Sequence, residues 1–157
     1  LRSYEHPVMI SGEAEWDTLY EAAGTILKQV EGINRCVWNL SPGAPCSLTP
    51  RAATMTRARL DLLREADHLV MEGLRRHGLY RTIWQCPTVL VPLSVDRAGR
   101  ELCVLRPVLS ERAMTARPAA LPAALLEQLR EQLLALRGIS AVVLDLTTKP
   151  PGTIEWE

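Results

Sequence analysis

The sequence predicts an α+β fold in which two related strand–helix–strand units form small antiparallel or mixed sheets with helices packed on one face. Amphipathic helical patterns alternate with short apolar strand patterns along most of the chain. Residues 32–40 (GINRCVWNL) also line up with residues 138–146 (GISAVVLDL), and each segment follows an amphipathic helix. Because a strand precedes the helix in both places, the repeat indicates a duplicated module.

The first unit begins with a strand over Tyr4–Ser11, and Pro7 indicates an edge position because proline has no backbone N–H to donate. A helix over Trp16–Val30 follows, since its apolar residues recur at steps of three and four. Gly32 lies just beyond the end of this helix. The second strand covers Ile33–Leu40.

The middle of the chain consists of a loop and a long helix. Three prolines, a glycine and several hydroxyl residues predict a loop over Ser41–Thr54. The helical pattern over Thr56–His77 has an apolar stripe flanked by arginines and acidic residues. Because acidic residues offset most of the arginine charge, we interpret the polar face of this helix as solvated rather than as a nucleic-acid surface.

The second unit begins with a predicted hairpin. A strand over Thr88–Val95 pairs with a strand over Glu101–Leu109, in which Pro107 indicates an edge or a bulge. A helix then starts near Pro122, in the first turn, where proline is tolerated. The final strand covers Ile139–Leu146. The apolar stripe of the helix consists of Leu125, Leu129, Leu133 and Leu136.

These patterns predict three parts of the chain. Residues 1–54 form a first subdomain, residues 55–87 a connecting helix and loop, and residues 88–157 a second subdomain that ends in a charged tail. The sequence begins with Leu rather than Met, so we interpret it as a piece of a longer polypeptide.

Composition excludes several classes of function. Lys and Arg together number 18 and balance 18 Asp and Glu, which argues against nucleic-acid or membrane-surface partners. No apolar run approaches the roughly 20 residues that span a bilayer. The four cysteines are scattered without metal-ligand or disulfide spacing, so we expect reduced, mostly buried thiols in a cytoplasmic protein. No catalytic or metal-binding motif is present.

The tail, Asp145–Glu157 (DLTTKPPGTIEWE), carries the most informative chemistry. Lys149 is a point charge suited to a phosphate oxygen, and Glu155 can accept hydrogen bonds from hydroxyl or ring N–H groups. Two consecutive prolines between them restrict the backbone. The alternative interpretation is that the tail only packs Trp156 into a groove.

The tail resembles the C-terminal signature of glutamine-hydrolysing GMP synthases. Leu105–Val108 and Met114–Ala116 are similar to that family's arginine strand and Met-Thr-Ala turn. The further similar segments are Leu1–Tyr4, Gln85–Leu93 and Pro122–Val143. Two positions depart from the family pattern, because Arg112 and Ala113 stand where an acidic residue and an aromatic are usual.

The resemblance implies roles for individual residues. Lys149, Glu155 and Ile154 match tail residues that contact XMP in the family, while Gln85 and Arg2 match XMP-contacting residues of its long form. Charge-assisted bonds from a lysine and an arginine suit a dianionic nucleotide.

The resemblance also implies a function. The family makes GMP from XMP, ATP and ammonia released from glutamine, and the region resembled is its C-terminal dimerisation domain. We therefore expect the ATP pyrophosphatase and glutaminase domains as partners, together with XMP and a possible homodimer. ATP and Mg²⁺ are implied for the full enzyme, whereas this fragment holds no cofactor and should be inactive alone. The alternative is a subunit-interaction module with no nucleotide contact.

Overall fold

The computed structural model describes residues 5–45, 47–96 and 98–156. These residues form three helices and nine strands. The helices are α1 (Trp16–Gln29), α2 (Arg57–Arg76) and α3 (Ala123–Leu134). The strands are β1 (His6–Ile10), β2 (Ile33–Asn39), β3 (Thr49–Pro50), β4 (Thr88–Val91), β5 (Leu93–Ser94), β6 (Glu101–Leu105), β7 (Val108–Leu109), β8 (Arg117–Pro118) and β9 (Ile139–Asp145).

A five-stranded mixed sheet forms the centre of the domain, with strands in the order β1-β2-β9-β6-β4. Strand β2 pairs antiparallel with β9, and this pair joins the two predicted units. Two further two-stranded sheets, β3-β5 and β7-β8, lie outside it. The α+β fold class with helices and small mixed sheets is therefore confirmed.

The two strands within each strand–helix–strand unit pair in the same way. Strand β1 is parallel to β2, and β6 is parallel to β9. Each pair shifts register after its first residue, His6 in one unit and Glu101 in the other. The amide N–H of His6 donates to the Gly32 carbonyl at 2.8 Å, and that of Glu101 donates to the Gly138 carbonyl at 2.8 Å. The sequence repeat is thus matched by a repeat of hydrogen bonding.

The pairing between the units has internal two-fold symmetry. Val37 pairs with Asp145, and Asn39 pairs with Val143. In the aligned repeat Val37 is equivalent to Val143, and Asn39 is equivalent to Asp145. The second pair is therefore the first with the two units exchanged, which is how two copies meet across a two-fold axis.

All three helices pack on one face of the sheet. They contribute buried leucines and alanines to the larger apolar cluster, together with strand residues such as Cys36 and Leu144. A smaller cluster on the opposite face draws on Val37, Val104 and Val143, with Trp156 of the tail packed against it. Side chains alternate between the faces of a strand, so Arg35 and Asp145 lie on this helix-free face.

Helix bounds follow their local signals. Helix α2 begins after Thr56, whose hydroxyl accepts from the amide of Arg59 at 3.2 Å. Helix α3 begins directly after Pro122 and buries Leu125, Leu129 and Leu133, whereas Leu136 lies beyond its end. Each helix among the described residues is too short or too polar to span a lipid bilayer.

The predicted strands of the second unit are interrupted. Strands β4 and β6 pair antiparallel, which confirms the hairpin. However, the predicted strand Glu101–Leu109 is divided at Pro107, and its second part, β7, pairs with β8 instead. Pro107 cannot donate to the ladder, so the chain leaves the central sheet there. The prediction for Pro7 is confirmed, because β1 is an edge strand. The division of the chain into 1–54, 55–87 and 88–157 stays a prediction.

Candidate functional site

The tail extends the central sheet before it turns away. The amide of Leu146 donates to the Cys36 carbonyl at 2.9 Å, and the amide of Cys36 donates to the Thr147 hydroxyl at 3.0 Å. Both contacts continue the β2–β9 pairing beyond Asp145. The first residues of the tail are therefore fixed to the first unit as firmly as a strand.

Asp145 organises the tail around a buried carboxylate. One oxygen, Oδ1, accepts from the Thr147 amide at 2.8 Å and lies 2.9 Å from the Arg106 guanidinium. The other, Oδ2, accepts from Arg35 at 3.0 Å and from the indole N–H of Trp156 at 2.7 Å. Four donors on one carboxylate that is fully buried compensate the loss of its hydration.

Arg106 holds the tail by its backbone carbonyls. Its guanidinium donates to the carbonyls of Ile154 at 2.8 Å, Thr153 at 2.6 Å and Thr147 at 3.2 Å. The side chain is fully buried, and this burial lowers the pKa of the guanidinium, while the Asp145 carboxylate acts in the opposite direction. The tail thus folds back over an arginine from the end of β6.

Arg35 contacts the same stretch from the first unit. It donates to the Thr153 hydroxyl at 2.8 Å and to the Glu155 carbonyl, and its guanidinium carbon lies 5.2 Å from the centroid of the Trp156 ring. We call Arg35, Arg106 and Asp145 the tail seat. The tail is consequently ordered through contacts with both units, which agrees with the interpretation that Trp156 packs against the domain.

Lys149 lies where the tail pairs antiparallel with Ala116, the residue before strand β8. Its backbone exchanges two hydrogen bonds with Ala116, at 2.8 Å and 3.2 Å. The ammonium group donates to the Ala113 carbonyl at 2.6 Å. Ala113 itself has a φ of 59°, a left-handed conformation that disfavours alanine. The Lys149–Pro150 and Pro150–Pro151 peptide bonds are both cis.

Gln85 and Ile154 belong to the same region as Lys149. The amide of Val108 in β7 donates to the Gln85 carbonyl at 2.8 Å. Four neighbouring backbone segments therefore form a peripheral ribbon, in the order Gln85, β7, β8 with Ala116, and Lys149. Ile154 packs with Val108 and Ala116 in a small buried cluster. Gln85 and Lys149 form the two edges of this ribbon, about 14 Å apart for three strand spacings.

Glu155 is fixed by its backbone, whereas its side chain interacts with Arg106 through charge and not through a hydrogen bond. Its carbonyl is held by Arg35, whereas its carboxylate is exposed and has no hydrogen-bond partner within residues 5–45, 47–96 and 98–156. The exposed amide of Gln85 likewise lacks a partner in this part of the chain. Arg2 lies outside the described residues. The structure therefore brings together Lys149, Ile154 and Gln85, and places the free carboxylate of Glu155 one residue beyond Ile154.

Gln85 and Glu155 are exposed and Lys149 is half-buried, whereas Ile154 is buried. Three cavities of 1110, 630 and 820 Å³ are lined by described residues, and none of the walls includes Gln85, Lys149, Ile154 or Glu155. The largest runs between α1 and the opposite side of the tail, where Thr148 and Pro150 line it. A ligand held by the candidate residues would need further walls from another domain.

Sequence reasoning assigned no role to two residues of the tail seat. Arg106 falls within the segment Leu105–Val108 that resembles the family's arginine strand, and Arg35 lies within the predicted strand Ile33–Leu40. Arg35 stands inside an apolar strand pattern, and a charged residue there signals a buried ion pair. The partner, however, lies 110 positions away, so no local spacing identifies it.

The fold and the tail define a class of protein: an α+β domain with an ordered tail that carries exposed polar groups. Residues 72–156, more than half of the chain, match the family described as GMP synthase C terminal domain. The chain belongs to this family.

Similar proteins agree with this membership. A probable glutamine-hydrolysing GMP synthase of Leptospira interrogans is 35% identical over 167 aligned residues, which cover 99% of this chain and 26% of that relative. Glutamine-hydrolysing GMP synthases of Leifsonia xyli and Streptomyces coelicolor are 49% and 48% identical over 111 residues, covering 66% of this chain and 22% and 21% of theirs. The chain spans about a quarter or less of the length of these curated relatives.

Proposed function

We propose that this domain completes an XMP site in a glutamine-hydrolysing GMP synthase, which makes GMP from XMP, ATP and glutamine. Lys149, Glu155, Ile154 and Gln85 contact the nucleotide in this proposal, and Arg2 supplies a further positive charge. The observation that carries the proposal is the arrangement of these groups: Lys149 and Gln85 form the edges of one ribbon, and Ile154 packs on it.

The electrostatics of Lys149 favour an anionic ligand. Within the described part of the chain, its ammonium group is bound only to the neutral carbonyl of Ala113, at 2.6 Å. A phosphate oxygen is a stronger acceptor for an ammonium than a carbonyl, so exchange of one for the other is favourable. The Lys149 side chain can therefore release the backbone and take up the phosphate without leaving an unpaired buried charge.

Glu155 and Gln85 supply the polar groups that read the rest of the nucleotide. The Glu155 carboxylate accepts from ribose hydroxyl or ring N–H groups, while the Gln85 amide both donates and accepts. The backbones of Gln85 and Lys149 are about 14 Å apart. Both residues have long side chains, so one mononucleotide can contact the ends of both. Their lack of partners in the described residues leaves them available.

The open geometry of the site supports a role shared with other domains. We propose that an ATP pyrophosphatase domain, which binds ATP and Mg²⁺, closes over this surface, and that a glutaminase domain delivers ammonia. The chain alone then binds XMP weakly and does not catalyse the reaction. Its own groups position the nucleotide and exclude solvent from one side of it.

Calorimetric titration of XMP tests the proposal. The protein is this domain joined to pyrophosphatase and glutaminase domains, as wild type and as the Lys149→Ala and Glu155→Gln variants. We expect each variant to weaken XMP affinity about tenfold or more, because each removes a charge-assisted contact. Lys28→Ala removes the other lysine of the sequence, and Glu131→Gln an exposed carboxylate on α3; both should leave affinity unchanged.

Unchanged affinity in both tail variants would reject the XMP site and favour the interaction module without nucleotide contact.

The proposal also includes a homodimer formed through this domain. Sedimentation at increasing protein concentration checks it, and a monomer at all concentrations would contradict the homodimer while leaving the XMP site intact.

A further inference from the structure

We propose that Arg35 is a positioning residue for the XMP site: a guanidinium from the first unit fixes the backbone of the second unit's tail, so that Glu155 faces the nucleotide. This inference rests on the proposed function. Arg35 lies outside residues 72–156, the part of the chain that matches the family. Family membership therefore assigns it no role, and the contacts of Arg35 alone carry the argument.

The contacts of Arg35 converge on the residues next to the free carboxylate. One guanidinium nitrogen donates to Asp145 at 3.0 Å, and the other donates to the Thr153 hydroxyl at 2.8 Å and to the Glu155 carbonyl. The Trp156 ring covers the guanidinium at 5.2 Å. Because Arg35 contacts Thr153, the Glu155 carbonyl and the Trp156 ring, the direction of the Glu155 side chain depends on it.

Arg106 does not perform the same task. It holds the carbonyls of Thr147, Thr153 and Ile154, which lie before Glu155 in the tail. Among the described residues, Arg35 is the one arginine that donates to the Glu155 carbonyl, which also accepts from the Thr153 hydroxyl at 2.5 Å. Arg106 thus fixes the course of the tail, whereas Arg35 fixes its last turn.

The surroundings of Arg35 do not maximise the free energy of unfolding. Its side chain is 2% exposed, yet Nε has no hydrogen-bond partner in the part of the chain that the structure describes. A buried donor without a partner is unfavourable, and a buried ion pair is often no more stable than apolar residues of similar volume. A geometric requirement on the tail explains why a charged residue stands at this position.

The internal symmetry supports the same conclusion. The position equivalent to Arg35 is Ala141 in the second unit, and the position equivalent to Asp145 is Asn39 in the first. The two-fold related site therefore cannot form this ion pair, and Asn39 instead bonds to the nearby loop, donating to the Gly43 carbonyl at 2.8 Å. The arginine–aspartate pair is present only on the side where the tail passes.

Steady-state kinetics test the proposal in this domain joined to pyrophosphatase and glutaminase domains. We expect Arg35→Ala to raise KM for XMP about tenfold, with KM for ATP and glutamine unchanged, because it disturbs binding rather than chemistry. Arg35→Lys retains the charge beside Asp145 and should restore part of the loss. The control is Arg59→Ala, which removes a two-bond ion pair with the buried Glu101, remote from the tail, and should leave KM for XMP unchanged.

A double variant separates positioning from direct binding. If Arg35 acts through Glu155, the combined Arg35→Ala and Glu155→Gln change should cost little more than Glu155→Gln alone. A lower kcat with unchanged KM for XMP would indicate loss of folded enzyme and overturn the inference. If the Arg35 variants bind XMP normally and the Glu155→Gln variant does not, the inference about Arg35 is overturned and the proposed function stays intact. A normal Glu155→Gln variant would overturn both.

Discussion

Trp38 and Leu144 pair directly across strands β2 and β9, and each is the sixth residue after the glycine that follows the preceding helix, Gly32 or Gly138. The two-fold axis of the repeat thus passes between these side chains. Trp38 and Leu144 therefore occupy equivalent positions in the two repeats, although β6 has a further neighbour, β4, that β1 lacks.

The first prediction concerns the buried charge of the tail seat. Asp145→Asn keeps the shape of the side chain but removes the negative charge between two buried guanidinium groups, Arg35 and Arg106. We expect a loss of about 3–5 kcal/mol in the free energy of unfolding, because two buried cations then lack compensation. Urea unfolding measures this value.

The control for this prediction is Asp61→Asn on the surface of α2. Asp61 also contacts two arginines, Arg57 and Arg64, but its side chain is 56% exposed. We expect a change of no more than about 0.5 kcal/mol, because solvent screens exposed pairs. Similar losses in the two variants would contradict the view that the buried carboxylate organises the tail.

The second prediction concerns two glycines within helices. A Cβ at Gly73 in α2 would lie 2.8 Å from Leu125 Cδ1 and 3.2 Å from Leu129 Cδ2, and both leucines are fully buried. At Gly24 in α1 a Cβ would have no neighbour within 4 Å. We expect Gly73→Ala to destabilise the domain by about 1–3 kcal/mol through overpacking.

Gly24→Ala is the matched comparison. It should stabilise the domain by about 0.5–1 kcal/mol, because alanine has the higher helix propensity and meets no obstacle. Thermal unfolding of both variants measures the difference. A stabilising Gly73→Ala would show that α2 and α3 are packed less closely than the structure indicates.

The third prediction concerns alkaline pH. Burial raises the pKa of the Cys36, Cys86 and Cys103 thiols to about 12, from an ordinary value of 9.0. Between these values the unfolded chain releases protons that the folded chain retains, so the free energy of unfolding falls as the pH rises. Each thiol contributes a slope of about 1.4 kcal/mol per pH unit.

Cys103→Ala tests this slope. The variant should lose stability less steeply than the wild type above about pH 9, by about 1.4 kcal/mol per pH unit. Comparison of the two proteins at each pH cancels the titration of tyrosine and lysine. Parallel stability curves would show that the Cys103 thiol is accessible to solvent.

The fourth prediction concerns Ala113, whose carbonyl holds Lys149. Ala113 is the only described non-glycine residue with a positive φ, at 59°. Glycine adopts this conformation without steric cost, so we expect Ala113→Gly to stabilise the domain by about 0.5–1 kcal/mol. Ala116→Gly, at a buried residue paired with Lys149, should destabilise it instead, as thermal unfolding would show. Destabilisation by Ala113→Gly would contradict a strained backbone at this turn.

Elements with local signals were predicted closely. Helix α2 was expected over Thr56–His77 and covers Arg57–Arg76, since its cap and its apolar period both lie within the segment. The last strand was expected over Ile139–Leu146 and covers Ile139–Asp145. The repeat was also visible, because a strand, a helix, a glycine and a second strand follow one another in both units. Such features depend on residues within one or two turns of each other.

Features that depend on distant contacts were not predicted. The strand Glu101–Leu109 was expected to be continuous, but Pro107 separates two segments that pair with different partners. The role of Arg35 depends on Thr153, which is 118 positions away. Hydrophobic periodicity carries no information about such pairings. The candidate site residues came from a family resemblance, and their roles toward XMP stay predictions.

The separation between Arg35 and Thr153 also affects how the protein is made. Arg35 is synthesised 118 residues before Thr153 and 120 residues before Glu155. Domains begin to fold during translation, but the middle strand of the sheet, β9, ends at Asp145, so this guanidinium lacks its tail partners until the sheet and the tail are made almost together. A polypeptide released before Thr153 would contain every strand of the sheet yet lack Thr153 and Glu155, the tail residues that accept hydrogen bonds from Arg35. Ligand competence would then report that translation had reached the last turn of the tail.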